Sequence, residues 1–281
     1  MSGTTKAIKE QVKDYYDTVG WRRQDDQLFA DLARFEDLRP VSAKYRVRCH
    51  RRLKRFLSGK GKFLLDVASG PVQTPEYLTY SEGYDYHMCA DLSLTALQEA
   101  RLVLGRKGLY VQCDITKLPI KSDSIAGFVS LHTIYHVPAE EQPNAFLELQ
   151  RILEPGRTGV VVYKWANSLL MGVTMPFVLV LGAAKRGLTS LRAGQPTDQE
   201  PKLYFHAHKL KWLERALAGK IAFDLAVWRS VSLRFLKLYV HPWLFGEKLL
   251  DFVFWLEERY PRLMGKVGEY PIFVLRKPIE T

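Results

Sequence analysis

Between Lys62 and Tyr163 the chain repeats one pattern: a short apolar run, a turn of small or acidic residues, then an amphipathic stretch. Phe63–Val67, His87–Asp91, Leu109–Cys113, Ile125–Leu131 and Thr158–Tyr163 are the apolar runs, each short enough for a strand. Thr74–Glu82, Thr95–Leu104 and Gln142–Leu153 have helical composition, and Pro155-Gly156 stops the last of these. Buried strands alternating with helices demand a parallel sheet covered on both faces. Ile221–Val231 and Pro271–Lys277 read as two later strands completing the same sheet. The expected fold class is therefore α/β, a Rossmann-like, mostly parallel seven-stranded sheet.

The flanks divide the chain. Residues 1–61 read as a helical lid and 62–281 as the core, with apolar insertions at 165–200 and 239–268. Residues 6–37 read as helical, with Val12, Tyr15, Tyr16 and Val19 on one side. Trp165–Ala184 is 20 residues without a charge, long enough to span a bilayer. Gly172, Pro176 and Gly182 interrupt it, and a crossing there would tear two later strands from the sheet. An apolar lid or substrate wall fits better. Trp243, Phe245, Phe252, Phe254, Trp255 and Tyr260 crowd the later insertion, as a core-packing helix pair or an acceptor pocket would require.

Net charge is +11, and it is unevenly placed. From Arg39 to Lys62 ten cations occur with no acid, while Val41, Tyr45, Cys49, Leu53 and Phe56 recur at helical spacing. That describes an amphipathic helix with a basic outer face, suited to an anionic membrane, a nucleic acid, or solvent alone. Charges in MSGTTKAIKE stand where a secretory signal needs apolar residues, so cytoplasmic residence with peripheral membrane contact is expected. Cys49, Cys89 and Cys113 are dispersed and read as buried thiols.

The chemistry concentrates at strand ends. Leu65-Asp66-Val67-Ala68-Ser69-Gly70-Pro71 is a strand entering a tight turn, where backbone amides can meet a ligand. Asp91 ends the second strand, where a carboxylate can accept both hydroxyls of a ribose. Asp114 ends the third, placed to take a hydrogen bond from an adenine amino group while Ile115 packs on the ring.

With these residues, LLDVASGP (64–71), CADLS (89–93), QCDITKLPIKSDSIAGFVSLHTIYHV (112–137) and ELQRILEPGRTGVVVY (148–163), the sequence resembles the class I methyltransferases that use S-adenosyl-L-methionine (SAM), especially the ubiquinone/menaquinone-biosynthesis-like branch. The resemblance implies that Asp66, Ala68 and Gly70 line the methionine end of SAM. It implies that Asp91 binds the ribose with Leu92 beside the adenine, and that Asp114 and Ile115 contact the adenine. Leu131 and His132 would close the site. Lys13-Asp14-Tyr15-Tyr16-Asp17 resembles a lid helix of related enzymes, which makes Tyr16 a lid residue. The chain departs from the pattern at Ala68, Val72, Ala126 and Arg157, the first two standing where the turn usually has glycine.

The reaction so implied is transfer of a methyl group to an oxygen or carbon of a small or lipid-like acceptor. His136, with His132 as its alternate, is the candidate general base. His206 and His208 are further candidates to face the acceptor, and their spacing resembles a metal-ligand pair without a third ligand. An RNA-directed methyltransferase and a non-catalytic SAM-fold binding module are the competing readings. A nicotinamide-binding Rossmann enzyme fits less well, lacking the fuller glycine turn and leaving Asp114 without a role.

Overall fold

The computed structural model describes residues 3–25, 28–57, 59–172 and 202–279. Seven strands form one sheet: β1 (Gly61–Val67), β2 (Tyr84–Asp91), β3 (Gly108–Gln112), β4 (Ile125–Leu131), β5 (Leu153–Val162), β6 (Phe223–Arg229) and β7 (Tyr270–Arg276). Their order is β3-β2-β1-β4-β5-β7-β6. Only β7 runs against its neighbours. The expected α/β architecture is the one observed.

The sheet's core position explains its strands. Every residue of β4 is buried, because helices cover both faces of the sheet's centre. On one face, α6 (Gln142–Ile152) presents Ala145, Phe146, Leu149 and Ile152 to the sheet at helical spacing, with α7 (Leu210–Leu217) beside them. On the other, α3 (Pro40–Lys54), α8 (Leu233–Tyr239) and α9 (Gly246–Arg259) bury theirs. Strand order reverses beside β1, where β2 and β4 flank it in parallel. Open α/β sheets bind ligands at such a reversal, outside the carboxyl ends of the strands.

The aminoterminal segment differs from one long helix. α1 (Gly3–Tyr15) runs into a π turn, Tyr16–Gly20, and among the described residues the next helix is α2, Ala30–Phe35. α4 (Pro75–Leu78) and α5 (Leu94–Leu104) join the first strands. The crowded aromatic stretch forms a helix pair, α9 and α10 (Pro261–Val267), but Trp243, Phe245, Phe252, Trp255 and Tyr260 stand in solvent instead of packing in the core, and none of them lines the main cavity. Residues 173–201, with most of the uncharged run, lie outside the described residues. Among the described residues no helix is long and apolar enough to cross a membrane.

The basic run forms α3 as expected, and several of its cations are paired with acids of α9. Arg52 is buried, with Nη2 3.0 Å from Glu257 Oε2 and Nε donating to Glu258. Lys44 and Arg48 pair with Asp251, and Arg55 with Glu258. The helix near the amino terminus is thus bolted to α9, about 200 residues later.

Candidate active site

One cavity of about 1,290 Å³ opens over the carboxyl ends of β1, β2 and β4. Drug-sized ligand pockets run to about 300–1,000 Å³, so there is room for a cofactor and an acceptor together. Of the nine cofactor contacts and two base candidates named from sequence, ten line it: Tyr16, Asp66, Ala68, Asp91, Leu92, Asp114, Ile115, Leu131, His132 and His136. Gly70 does not. Trp21 lies over it, and a Cβ at Gly70 would sit 2.7 Å from the indole Cη2.

The turn after β1 keeps its shape despite its missing glycines. Ala68, Gly70 and Val72 take φ values of +50°, +57° and +56°. Left-handed backbone costs an L-residue about 1–2 kcal/mol, so two side-chain-bearing residues are held under strain here. Ala68 N–H donates to Ala90 O at 2.6 Å and Gly70 N–H to Asp91 Oδ2 at 3.0 Å, tying the turn to β2.

Asp91 is buried, and its second oxygen accepts from Ser93 N at 2.8 Å. Burial pushes its carboxyl up to about 6, against the two backbone hydrogen bonds. Asp66 is also buried. Its Oδ2 has no hydrogen-bond partner, although His87 Nε2 lies 3.4 Å away.

Asp114 is already engaged. Lys9 of α1 donates to its Oδ2 at 2.6 Å, and Thr116 donates to Oδ1 from its backbone and its hydroxyl. Burial raises this carboxyl, but the Lys9 and Thr116 bonds outweigh it and the net shift is downward. Four lone-pair positions less three donors leaves one for a ligand. Lys9 also pairs with Glu141, and Ser93 Oγ donates to Asp17, so the α1 end is fastened across the strand tips. Tyr16 stacks on Trp21, centroids 4.8 Å apart, and meets the His136 ring edge-on at 6.1 Å.

Two histidines follow β4. His132 takes φ +59°, and both its ring nitrogens are buried without a partner. Burial, then the charge of Arg229, hold it well below the ordinary imidazole range, so it is neutral at pH 7. Trp228 and Tyr270 press on it edge-on at 4.5 and 5.2 Å. His136 Nδ1 lies 2.7 Å from the Tyr204 carbonyl oxygen. A carbonyl only accepts, so Nδ1 carries the proton and Nε2 the lone pair. Burial lowers this ring to about 4.

His206 and His208 stand apart from these. Neither lines the cavity, His208 stacks on Trp212 at 3.4 Å, and its Nε2 meets Ala139 O. Among the described residues no group of three metal-ligating side chains converges.

Sequence reasoning missed Lys9, Trp21, Arg229 and Lys164, all lining the cavity. Arg229 ends β6 as Asp91 ends β2, so the same signal, a charge closing an apolar strand, pointed to it. It is buried, Nη1 pairs with Glu36 at 3.0 Å, and Nε has no partner. Nothing in the sequence marked Trp21.

Residues 65–161 match the family described as the methyltransferase domain. These residues are a class I methyltransferase domain. The cofactor of such domains is SAM, and the residues fit it: an unpartnered buried Asp66 oxygen, a carboxylate at the β2 tip and a roomy cavity meet at the strand reversal. No curated protein matches the chain significantly. Solved structures place the methyltransferase domain in a wider fold group. Geranyl diphosphate C-methyltransferase from Streptomyces coelicolor A3(2) superposes with TM-score 0.54 at 12% identity, covering 96% of this chain and 98% of that one. Phosphoethanolamine N-methyltransferase 2 from Haemonchus contortus gives 0.56 at 16%, covering 95% and 60%. The [4+2]-cyclase SpnF gives 0.54 at 15%, covering 99% and 96%. At such identities the likeness is one of fold alone.

Proposed function

We propose that the chain transfers the methyl group of SAM to an oxygen or carbon of a small, lipid-like acceptor, with residues 1–61 serving as lid. The observation carrying this reading is one cavity lined both by the three aspartates and by the two histidines.

When bound, SAM supplies a methyl group activated by its sulfonium. Asp91 would accept from the ribose hydroxyls, Leu92 and Ile115 would pack against the adenine, and Asp114 would take the amino group at its remaining position. Asp66 and Ala68 would face the methionine end. Tyr16 and Trp21 close over the turn and exclude water, which leaves positioning and desolvation of the acceptor as the protein's main work. His136 Nε2, with its lone pair fixed by Tyr204, would take the acceptor's proton.

The wall beyond the histidines supports a lipid-like acceptor. Tyr135, Trp165, Met171, Phe205 and Tyr270 line it, and of its ions Arg229 pairs with Glu36 and Lys164 with Glu269, with Arg234 a further cation on the lining. A predominantly apolar pocket favours an apolar molecule with a few polar groups. The geranyl diphosphate enzyme of the same fold acts on an isoprenoid diphosphate. The argument from charge for RNA loses its main support, since α3 spends Lys44, Arg48, Arg52 and Arg55 on the acids of α9.

The test is a crystal structure with S-adenosylhomocysteine, paired with transfer of a labelled methyl group to extracted lipids and to RNA. Label in the lipid fraction, with the nucleoside on Asp91, is the expected result. Label in RNA alone, or a nucleoside bound elsewhere, defeats the proposal.

A further inference from the structure

α9 buries Gly246, Leu250, Val253 and Glu257 and turns its other side to solvent. That outer side carries Lys248, Phe252, Trp255 and Arg259, spaced four, three and four residues apart, which on a helix is one stripe. Phe252 and Trp255 are 55% and 54% exposed, their rings stacked at 5.9 Å. The turn before the helix continues the stripe. Phe245, with φ +53°, and Trp243 are 70% and 76% exposed, and the Lys248 ammonium lies 5.1 Å from the Phe245 ring. Past the helix, Arg259 sits over the half-exposed Tyr260. Clustered large aromatic groups left in water mark an interaction surface.

The charges identify the partner. Of the acids flanking this stripe, Asp251 and Glu258 are engaged by Lys44, Arg48 and Arg52 of α3 and by Arg55 at its end, which leaves Glu247 as the exposed acid beside Lys248. The outward charge along the stripe itself is cationic, alternating with Trp and Phe. A second copy docked face to face would set these cations against their own kind. An anionic lipid surface satisfies both components: rings enter the headgroup boundary and Lys and Arg reach phosphates beside them. We propose that the outer stripe of α9, with Trp243 and Phe245, docks the protein on an anionic bilayer. The surface assigned is α9 and not the basic helix α3, and it stands independently of the methyl-transfer reading.

The experiment is flotation of the full chain with vesicles of phosphatidylcholine alone and with about one-third phosphatidylserine, at ~0.15 M salt, where screening leaves only short-range charge effects. Flotation with the anionic vesicles and a blue-shifted tryptophan emission are expected. The triple variant Trp243→Ser/Phe252→Ser/Trp255→Ser should float at least tenfold less, and Lys248→Glu/Arg259→Glu should lose the preference for anionic lipid. Both should keep the wild-type unfolding midpoint, because every substituted residue is exposed, and wild-type SAM binding. The proposal is overturned if the full chain does not float, if the triple variant floats like wild type, or if the stripe proves to mediate self-association without vesicle binding. SAM binding, read in the same preparations, separates these failures from failure of the methyltransferase reading.

Discussion

His136 and Tyr204 are joined by a 2.7 Å hydrogen bond across 68 residues of chain, from imidazole Nδ1 to a backbone carbonyl. The contact fixes the tautomer, and with it the nitrogen offered to the cavity. Tyr204 also receives Ala139 N–H on its hydroxyl at 3.2 Å, so the loop after β4 and the segment before α7 hold each other. That pairing leaves the free lone pair of His136 on Nε2.

Replacing His136 by Asn keeps a side chain of similar reach and removes the proposed base. Turnover should fall about 10²–10⁴-fold while SAM affinity stays near wild type. Because burial lowers His136 to about 4, the unprotonated ring persists well below pH 6. The turnover number at saturating SAM should accordingly stay level from pH 7 down to near 5. Equal turnover in His136→Asn would remove the histidine from the reaction.

SAM affinity should show a different profile. Asp91 is pushed up to about 6, and only its ionised form accepts from both ribose hydroxyls. Binding should weaken as pH falls through 6, approaching tenfold per unit, as linkage to one proton requires. Asp91→Ala should bind SAM about 100-fold more weakly at pH 7, the worth of two hydrogen bonds to a charged group, and remain folded. Isothermal titration across pH 5–8 distinguishes the variant from wild type; an Asp91→Ala protein with a retained bend at 6 would assign the proton elsewhere.

The Arg52–Glu257 pair is a stability element. Glu257 is fully buried and also accepts from Tyr45 Oη at 2.6 Å and from Ser230 N at 2.7 Å. Arg52→Met leaves that carboxylate buried without its countercharge, which should cost about 3–5 kcal/mol in urea unfolding. Arg52→Met/Glu257→Leu should recover part of the loss.

Ala68→Gly relieves a φ of +50° at a position where the side chain is small. Unfolding should shift up by about 1 kcal/mol, or roughly 2–4 °C in Tm for a chain of this size. Gly70→Ala should do the reverse, since its Cβ meets Trp21. Thermal unfolding of the two variants beside wild type is the measurement; a matching shift in both would deny the strain.

The fold was largely legible in the sequence because its signal is local. Hydrophobic periodicity reports which faces are covered, so β1, β2, β3, β4 and α6 could be placed to within a few residues, and their tips with them. Asp91 ends β2 and Asp114 follows the end of β3 by two residues, and the topology of a parallel sheet alone brings such positions together. The misread elements are those whose local preference a neighbour overrides. Residues 6–37 have helical composition, yet Tyr16–Gly20 opens into a π turn where Tyr16 stacks on Trp21, and the next helix among the described residues begins at Ala30.

Ion pairing is not local, and there the sequence was silent. The ten cations between Arg39 and Lys62 read as a free basic surface, because an acid at position 251 or 258 carries no mark of where it will lie. Tertiary structure set α9 against α3 and paired Lys44, Arg48, Arg52 and Arg55 with its acids, and it put Lys9 on Asp114 and Trp21 over Gly70. Which strands form and where their acids end follows from the chemistry of adjacent residues. Which charges stay exposed, and which nitrogen of His136 faces the cavity, is decided only when distant segments meet and desolvate one another.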